Sequence, residues 1–318
     1  MTTGIPSFDE RYTLESTLGQ GAMGVVYAGV RKEDSLPVAV KVLQPEVAAN
    51  DEMRQRFVRE ATALSTLRHP NVIGVLEFGE LGNTCFLVME FLEGETLNVR
   101  LERGAMPPDE LLRTAAQVAD AIDFAHRHGV IHRDLKPGNI LVREVDDRPQ
   151  PKVIDFGIAK ATGAALTDRT VYTGFAQLVG TPLYMSPEQG RGDAVDWRSD
   201  IYSLGATFYH MVTGQLPFTG MDAVSVMRKH ATEALVAPRV RRPSLPLGVN
   251  LVILRMMEKA TAARYQQPAQ LIRDLDAILA GQAPPTFRAM MEKGPVGAPN
   301  SDGSAKAAKF PILKRYRR

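Results

Sequence analysis

The spacing of apolar side chains divides the chain into a strand-rich first part and a helix-rich second part. Short apolar runs rich in β-branched residues predict four strands before residue 92, at 24–30, 38–43, 72–78 and 85–91. Between the second and third runs, Asn50 and the acidic residues after it mark the start of a helix that continues to about Leu67. Strands gathered before helices are typical of an α+β protein in two lobes.

Beyond residue 91 the apolar pattern is helical. Residues 111–127 repeat apolar side chains at helical spacing, and residues 201–212 are apolar almost throughout. From Ala280 onward the chain is rich in Pro, Gly and Ala and has no apolar period, which is typical of a linker or a flexible tail. The predicted organisation is an N-terminal extension (1–11), a folded region (12–279, with lobes at about 12–90 and 91–279) and a tail (280–318).

Composition narrows the class of protein. The single cysteine, Cys85, excludes an intrachain disulfide and a cysteine-based zinc site. The first residues resemble no signal peptide, and no run of 18 or more apolar residues predicts a membrane span. The net charge of +2 combines a tail of +6, counted from Gly281, with a body of −4. A mildly acidic body argues against a dedicated nucleic-acid binder.

A glycine motif precedes the first predicted strand. Gly19, Gly21 and Gly24 form a G-x-G-x-x-G pattern, which also occurs in dinucleotide-binding folds and in glycine hairpins that bind nothing. A dinucleotide motif opens a helix, whereas here the third glycine leads into the strand-like residues 25–27. That setting favours a flap whose backbone N–H groups approach the phosphates of ATP. A hairpin without a ligand remains the alternative from this motif alone.

Two charged residues interrupt apolar surfaces. Lys41 lies inside the predicted strand 38–43, where a lysine can also extend from the edge of a sheet. Glu60 shares one helical face with Phe57 and Leu64. Because an unpaired buried charge is costly, we expect Lys41 and Glu60 to form an ion pair that directs the ammonium group to the α- and β-phosphates of ATP.

The segment 132–139, His-Arg-Asp-Leu-Lys-Pro-Gly-Asn, carries the residue types that phosphoryl transfer needs. Asp134 can accept the proton of a hydroxyl group, and Lys136 can reach the γ-phosphate. Asn139 offers a carbonyl oxygen to Mg²⁺, or alternatively Mn²⁺, and Asp155 of the Asp-Phe-Gly tripeptide offers a second oxygen ligand. Chance does not place these segments in this order behind the glycine motif and Lys41.

Together these motifs resemble those of the eukaryotic-type (Hanks-type) protein kinase family over roughly 12–279. The glycine motif, Gly-Ala-Met-Gly-Val-Val-Tyr, and the run 180–189, Gly-Thr-Pro-Leu-Tyr-Met-Ser-Pro-Glu-Gln, resemble its bacterial serine/threonine branch. The resemblance implies a bilobal kinase fold, with a small β-rich N-lobe that carries one main helix, a larger helical C-lobe and ATP in the cleft between them. One departure is Ser186, which stands where alanine is usual; every catalytic position matches.

The resemblance also assigns further positions, including a hinge after Met89 whose backbone contacts adenine. The implied ATP site comprises Leu18, Gly19, Gln20, Gly21, Ala22, Met23, Gly24, Val25, Val26, Ala39, Lys41, Glu60, Glu90, Leu92 and Leu141. The internal stack that assembles in active kinases corresponds to Leu64, Val75, His132 and Phe156. Glu188 and Arg264 match a buried ion pair of the C-lobe. Asp200 matches the aspartate that holds the catalytic-loop backbone, for which a helix N-cap is the alternative.

Specificity and regulation follow from the same resemblance. Lys136 is typical of the serine/threonine branch, because tyrosine kinases of the family lack a lysine at this place. Thr181 matches the threonine that bonds the catalytic Asp and Lys beside the docked substrate. Arg133 matches the arginine that pairs with a phosphate on the activation segment. We therefore expect autophosphorylation within 158–179, first at Thr173 and then at Thr170; unmodified polar loop residues are the alternative.

The basic tail and the partners stay open at this point. The tail is either a solvated end or a juxtamembrane stretch that contacts anionic lipid. The chain is then cytoplasmic, or it is the cytosolic part of a membrane-anchored kinase. The expected partners are ATP and proteins with Ser or Thr hydroxyls, and relatives often dimerise to phosphorylate each other.

Two other functions compete with a protein kinase. A silent kinase-like scaffold usually lacks the lysine, the catalytic aspartate or the metal aspartate, and Lys41, Asp134 and Asp155 are all present. A small-molecule phosphotransferase of the same plan lacks the long segment 155–188. The sequence therefore predicts transfer of the ATP γ-phosphoryl group to Ser and Thr hydroxyls of proteins, in signal transduction.

Overall fold

The computed structural model describes residues 8–21, 24–81, 84–146, 148–156 and 182–288. Its strands are β1 (Tyr12–Gly21), β2 (Gly24–Arg31), β3 (Leu36–Leu43), β4 (Val75–Leu81), β5 (Thr84–Glu90), β6 (Glu95–Thr96), β7 (Ile140–Val145) and β8 (Arg148–Val153). Its helices are α1 (Phe8–Arg11), α2 (Pro45–Ala48), α3 (Asp51–Ser65), α4 (Leu97–Leu101), α5 (Pro108–Arg127), α6 (Pro187–Arg191), α7 (Trp197–Thr213), α8 (Ala223–Thr232), α9 (Pro238–Arg241), α10 (Leu247–Met256) and α11 (Pro268–Leu279). The predicted two-lobed α+β architecture is confirmed.

The N-lobe is an antiparallel sheet of order β1-β2-β3-β5-β4 with α3 packed against it. Side chains of β3 alternate between two faces: Val38 and Val40 are fully buried, whereas Ala39 and Lys41 lie on the opposite face. The predicted cap of α3 is present, since the Asn50 side chain accepts a hydrogen bond of 3.1 Å from the Met53 N–H. The alternation along β3 therefore places the Lys41 side chain on the face of the sheet opposite to Val38 and Val40.

The first described residues pack onto the back of this sheet. Phe8 is buried, and its ring centroid lies 5.2 Å from that of Tyr12 and 4.8 Å from that of Phe86. Arg11 forms an ion pair with Glu77, which also accepts a 2.6 Å hydrogen bond from the Tyr12 hydroxyl. Helical structure and core packing are thus already present at Phe8, ahead of the predicted limit at Tyr12.

The C-lobe is built around α7. Nearly every residue of this helix is buried, and α5 and α10 pack against it. At the far end, Phe287 is buried and the Thr286 N–H donates a 3.0 Å hydrogen bond to the Asp274 carboxylate. Folded structure therefore continues past the predicted limit at Leu279. Among the described residues, no helix combines the length and the apolar character that a membrane crossing needs.

Backbone contacts join the two lobes directly behind the cleft. The Ile73 N–H donates to the Val153 carbonyl at 3.0 Å, and the Val153 N–H donates to the Asn71 carbonyl at 2.8 Å. Val153 ends β8, which pairs with β7 in the small sheet β6-β7-β8. One continuous apolar core runs from Leu43 in the N-lobe to Phe287 in the C-lobe. The segments that carry the predicted site residues in the two lobes are therefore joined by backbone hydrogen bonds and by a common apolar core.

Candidate active site

The glycine motif spans the turn between β1 and β2, and its glycines differ in what surrounds them. A Cβ atom at Gly24 would overlap the carbonyl oxygen of Val42 on β3, so glycine is needed there for close strand packing. Cβ atoms at Gly19 and Gly21 would meet no heavy atom within 4 Å. Packing among the described residues gives no reason for glycine at these two positions, which fits a surface that a phosphate group approaches. Ala22 and Met23 lie outside the described residues.

The predicted adenine site lines the face of the N-lobe that turns toward the C-lobe. Val26 pairs with Lys41 across β2 and β3, and Ala39 pairs with Met89 on β5. Leu141 lies on β7 in the small sheet of the C-lobe. The other predicted positions lie on β1, on β2, at the end of β5 and just after it: Leu18, Gln20, Val25, Glu90 and Leu92. Side chains on both lobes are thus available to an aromatic ring.

The catalytic loop gathers three predicted side chains within hydrogen-bond distance. Lys136 Nζ lies 3.0 Å from Asp134 Oδ2, and Asn139 Nδ2 lies 3.1 Å from the same oxygen. Asn139 Nδ2 also donates to the Asp134 carbonyl at 2.8 Å. Asp134 and Asn139 are buried, and Lys136 is partly exposed. Two cationic or amide donors therefore fix one carboxylate at the floor of the cleft.

Asp200 holds the backbone of this loop from inside the C-lobe. Its carboxylate accepts hydrogen bonds of 2.7 Å from the His132 N–H and 2.8 Å from the Arg133 N–H. It also lies 2.8 Å from His126 Nε2 on α5. The N-cap of α7 is Asp196 instead, so the N-cap alternative for Asp200 is wrong. Sequence reasoning did not identify His126, because a histidine on an apolar helical face has no local signal for its partner.

A second pair of groups lies at the end of β8. Lys41 forms an ion pair with Asp155, and the Ile154 N–H donates to the Asn139 carbonyl at 2.9 Å. These contacts join the catalytic loop to the Asp-Phe-Gly residues, of which Gly157 lies outside the described part of the chain. Lys41, Asp134, Asn139 and Asp155 therefore surround one cleft, as the sequence predicted.

The residues at this junction fit a hard divalent cation. Both described hydrogen bonds of the Asn139 side chain use its NH₂ group, so the amide is turned with its carbonyl oxygen away from Asp134. That oxygen and the Asp155 carboxylate are the ligand types that Mg²⁺ takes, with water completing its shell. The donor set does not distinguish Mg²⁺ from Mn²⁺.

The expected ion pair between Lys41 and Glu60 is not the one that forms. Lys41 pairs with Asp155, and Glu60 accepts a 3.3 Å hydrogen bond from Arg133 Nη1. The prediction was wrong because it considered one cation and one carboxylate, whereas the fold also brings Asp155 to Lys41 and Arg133 to Glu60. Burial raises the pKa of Glu60 to about 7, even though Arg133 favours its ionised form. Glu60 thus lies near the site without touching Lys41.

The predicted internal stack is present behind these ion pairs. The ring centroids of His132 and Phe156 lie 4.6 Å apart, and Leu64, Val75 and Phe156 belong to one core. Burial lowers the pKa of His132, whose Nδ1 accepts from the Asp134 N–H at 3.2 Å while Nε2 faces the Ile154 carbonyl at 3.2 Å. A neutral ring protonated on Nε2 satisfies both contacts.

Two residues at the end of the run 180–189, Glu188 and Gln189, bind residues that are distant in sequence. Arg264 is fully buried and bonds both oxygens of Glu188, at 2.6 and 2.8 Å, as the resemblance implied. Gln189, whose role the sequence did not suggest, donates a 2.9 Å hydrogen bond to the Arg133 carbonyl. Lys152, also not identified, pairs with Glu90 at the hinge. Only Gln189 had a local signal, the Ser-x-x-Gln spacing of a capping box.

The remaining predicted positions, Thr181, Thr170 and Thr173, lie outside the described residues. Arg133 borders a cavity of about 390 Å³ that Arg56, Arg59 and Glu60 of α3 also line. The charged side chains that line this cavity are thus three arginines and one glutamate, and Arg56 also pairs with Glu52.

Comparison with known proteins agrees with this geometry. A family model described as protein kinase domain matches residues 12–271. A probable serine/threonine-protein kinase of Clostridium perfringens is 40% identical over 269 residues, which cover 84% of this chain and 38% of that protein. Serine/threonine-protein kinase PknB of Mycobacterium leprae is 38% identical over 289 residues, which cover 89% of this chain and 45% of that protein.

A solved structure is similar over a comparable length. The crystal structure of the Mycobacterium tuberculosis PknI kinase domain is 27% identical, with a TM-score of 0.66, and the match covers 87% of this chain and 98% of that one. The chain spans less than half the length of the two curated relatives. Because the family model matches most of its length, the chain belongs to the protein kinase domain family.

Proposed function

We propose that this chain transfers the γ-phosphoryl group of ATP to Ser and Thr hydroxyls of proteins. The observation that carries the proposal is the position of Asp134, which lies 3.0 Å from the Lys136 ammonium and 3.1 Å from the Asn139 amide. The Asn139 backbone in turn bonds Ile154, beside the pair of Asp155 and Lys41. A base, two ammonium groups and two oxygen ligands thus meet in one cleft.

Each side chain then has a role that its chemistry permits. Asp134 orients the incoming hydroxyl and accepts its proton, since a carboxylate bound by two donors keeps a fixed direction. Lys136 and Lys41 offset negative charge on the phosphates. Asn139 and Asp155 would hold Mg²⁺, which would supply positive charge to the phosphates of the nucleotide. Specificity for Ser and Thr rests on Lys136 and on the names of the relatives, which are serine/threonine-protein kinases.

The test is phosphotransfer from γ-labelled ATP with Mg²⁺, with and without a generic basic protein, followed by identification of the labelled residues. The matched control is Asp134→Asn, which keeps the size of the side chain and removes the base. We expect label on Ser and Thr from the wild type, and from the variant no turnover with ATP binding largely intact. Near-normal transfer by Asp134→Asn, or label confined to Tyr, contradicts the proposal.

Activation by phosphorylation is a finer part of this proposal. Arg133 is shared between its 3.3 Å contact with Glu60 and the cavity beside it, so a phosphate on the activation segment can compete for the guanidinium group. When the Arg133 guanidinium group leaves Glu60 for the phosphate, the Glu60 carboxylate becomes available to pair with Lys41. The Asp155 carboxylate, released from Lys41, is then available to bind the metal. We expect phosphate at Thr173, with Thr170 second. Phosphosite mapping after incubation with ATP contradicts this if every site lies outside 158–179.

We propose a role for the basic tail on the ground of its positive charge alone. Lys306–Arg318 would contact anionic lipid from the cytoplasmic side, either alone or beside an anchor in a longer chain. Co-sedimentation with anionic vesicles, lost when 306–318 are deleted, is the test, and no binding at moderate salt contradicts it. Transfer of phosphate between two copies, assayed with an active chain and an Asp134→Asn chain of different mass, tests the proposed homodimer.

A further inference from the structure

We infer that Gln189 is a positioning residue for the catalytic loop, which it holds through the backbone carbonyl of Arg133. The inference rests on the proposed phosphotransfer, because Arg133 directly precedes the proposed base Asp134. The contact joins α6, at the end of the run that begins Gly-Thr-Pro, to the loop that carries the base. The Nε2–O distance is 2.9 Å.

The backbone of Arg133 needs such support. Its φ of +64° lies in the left-handed region, which is unfavourable for a residue with a Cβ atom and persists only where the surroundings fix it. Asp200 accepts a 2.8 Å hydrogen bond from the Arg133 N–H, and Gln189 donates to the Arg133 carbonyl. Side chains from two different elements therefore hold the two polar backbone atoms of this one residue.

The carbonyl that Gln189 binds belongs to the peptide bond between Arg133 and Asp134. The N–H of the same peptide group donates to His132 Nδ1 at 3.2 Å. With both ends bound, the peptide plane cannot rotate without breaking a hydrogen bond, and the direction in which the Asp134 side chain leaves the backbone is fixed. Loss of the Gln189 contact releases one of these two restraints.

The other end of the Gln189 side chain shows why the residue is an amide. Its Oε1 accepts from the Ser186 N–H at 3.0 Å and from the Ser186 hydroxyl at 2.9 Å, which completes a capping box for α6. Glutamate serves this capping role equally well. Glutamate, however, has no N–H for the Arg133 carbonyl and would place a carboxylate oxygen against it. Capping alone thus does not explain glutamine, whereas the bond to the catalytic loop does.

Because the two ends of the Gln189 amide bind different partners, two variants can separate their effects. Gln189→Glu keeps the acceptor for Ser186 and removes the donor for Arg133. Ser186→Ala removes the hydroxyl contacts and leaves the donor in place; alanine is also the usual residue of the family there. We expect Gln189→Glu to lower kcat roughly tenfold, equivalent to about 1.4 kcal/mol, with KM for ATP within twofold of wild type. We expect Ser186→Ala to lower the melting temperature and to keep kcat.

Three measurements decide the inference: steady-state kinetics with Mg²⁺-ATP and a basic protein, the melting temperature, and amide hydrogen exchange of residues 132–134. Gln189→Glu should exchange faster at these amides, and Ser186→Ala should not. A wild-type kcat for Gln189→Glu overturns the inference, as does a loss of kcat that merely follows melting temperature in both variants. Gln189→Met, which lacks both the donor and a charge, repeats the test if Gln189→Glu is poorly folded.

Failure of the inference differs from failure of the proposed function. If the wild type transfers no phosphate, the proposed function fails, but hydrogen exchange still reports on the contact. Equal protection of residues 132–134 in wild type and Gln189→Glu then overturns the positioning role by itself. If the wild type is active and only Gln189→Glu loses kcat, with faster exchange at these amides, both stand.

Discussion

Two glycines of one motif should respond to the same substitution in opposite ways. Gly24→Ala places a Cβ atom into the carbonyl oxygen of Val42, 3.0 Å from the carbonyl carbon and 3.1 Å from the Leu43 Cα atom. Gly19→Ala places its Cβ atom more than 4 Å from the heavy atoms of the described residues other than its chain neighbours. The first glycine is therefore required by packing between β2 and β3, and the second is not required by packing at all.

The magnitudes follow from what each methyl group meets. At Gly24 the obstructing atoms are all backbone, so no side-chain rotation relieves the overlap and β2 must separate from β3. Overpacking of this kind costs about 1–3 kcal/mol, and rigid backbone favours the upper end. At about 2–4 °C per kcal/mol, we expect a fall of roughly 6–12 °C in melting temperature. At Gly19, alanine leaves stability unchanged or raises it by about 0.4–1 kcal/mol, because it restricts the unfolded chain.

The functional readout is KM for ATP. If the flap lies over the phosphates, the added methyl group at Gly19 occupies the space that the nucleotide needs, and we expect KM to rise roughly tenfold, or about 1.4 kcal/mol. Gly29→Ala is the matched control, because its Cβ atom would overlap the Thr13 carbonyl oxygen on β1 outside the motif. Gly29→Ala should lower the melting temperature and leave KM for ATP unchanged.

The assay is thermal unfolding together with initial rates over a range of ATP concentrations. An unchanged melting temperature for Gly24→Ala refutes the close approach of β2 and β3. An unchanged KM for Gly19→Ala refutes the phosphate flap, whatever happens at Gly24. A rise in KM for Gly29→Ala equal to that for Gly19→Ala shows that general loosening of the sheet, and not the flap, sets nucleotide affinity.

Three further outcomes are expected. Asp155→Asn should weaken Mg²⁺-dependent ATP binding, measured by calorimetry with and without the metal, whereas Asp134→Asn should not. Arg264→Met should cost about 3–5 kcal/mol in chemical unfolding, because it leaves the buried Glu188 carboxylate unpaired, and adding Glu188→Gln should restore part of that loss. Burial raises the pKa of Glu60 to about 7, so the folded state binds more protons than the unfolded chain between about pH 4.5 and 7. The free energy of unfolding should therefore fall as pH rises through this window. Glu60→Gln should flatten the profile of melting temperature against pH.

Local patterns predicted α3, the convergence of the site and four of the five strands of the N-lobe sheet, but they missed β1. The apolar run 38–43 predicted β3 with Lys41 inside it, and the Asn50 cap located the start of α3. The order of the motifs indicated that Asp134 and Asp155 share a cleft. Each of these features depends on residues close in sequence or on motifs with fixed chemistry, which is why one sequence suffices to see them.

Partner choice among several charges was not predictable in the same way. Lys41 had more than one carboxylate available in the cleft, and the fold pairs it with Asp155 and not with Glu60. The spacing of residues along one helix predicts the face on which a carboxylate lies. It does not predict which cation of a distant loop will pair with that carboxylate. The same limit applies to His126, whose partner Asp200 lies 74 positions along the chain. Long-range electrostatic pairing depends on tertiary distances that no local period encodes.

Arg133 shows what these long-range contacts achieve together. Glu60 of the N-lobe helix bonds its guanidinium group, Asp200 of the C-lobe core accepts from its N–H, and Gln189 of α6 donates to its carbonyl. Three elements that are remote in sequence therefore act on the residue next to the proposed base. Only the first contact involves the side chain, so exchange of Glu60 for a phosphate can alter the N-lobe helix while both backbone contacts persist. In the proposed activation, the signal would therefore pass through the Arg133 side chain without displacing Asp134, since the groups that respond and the groups that position are different atoms of one residue.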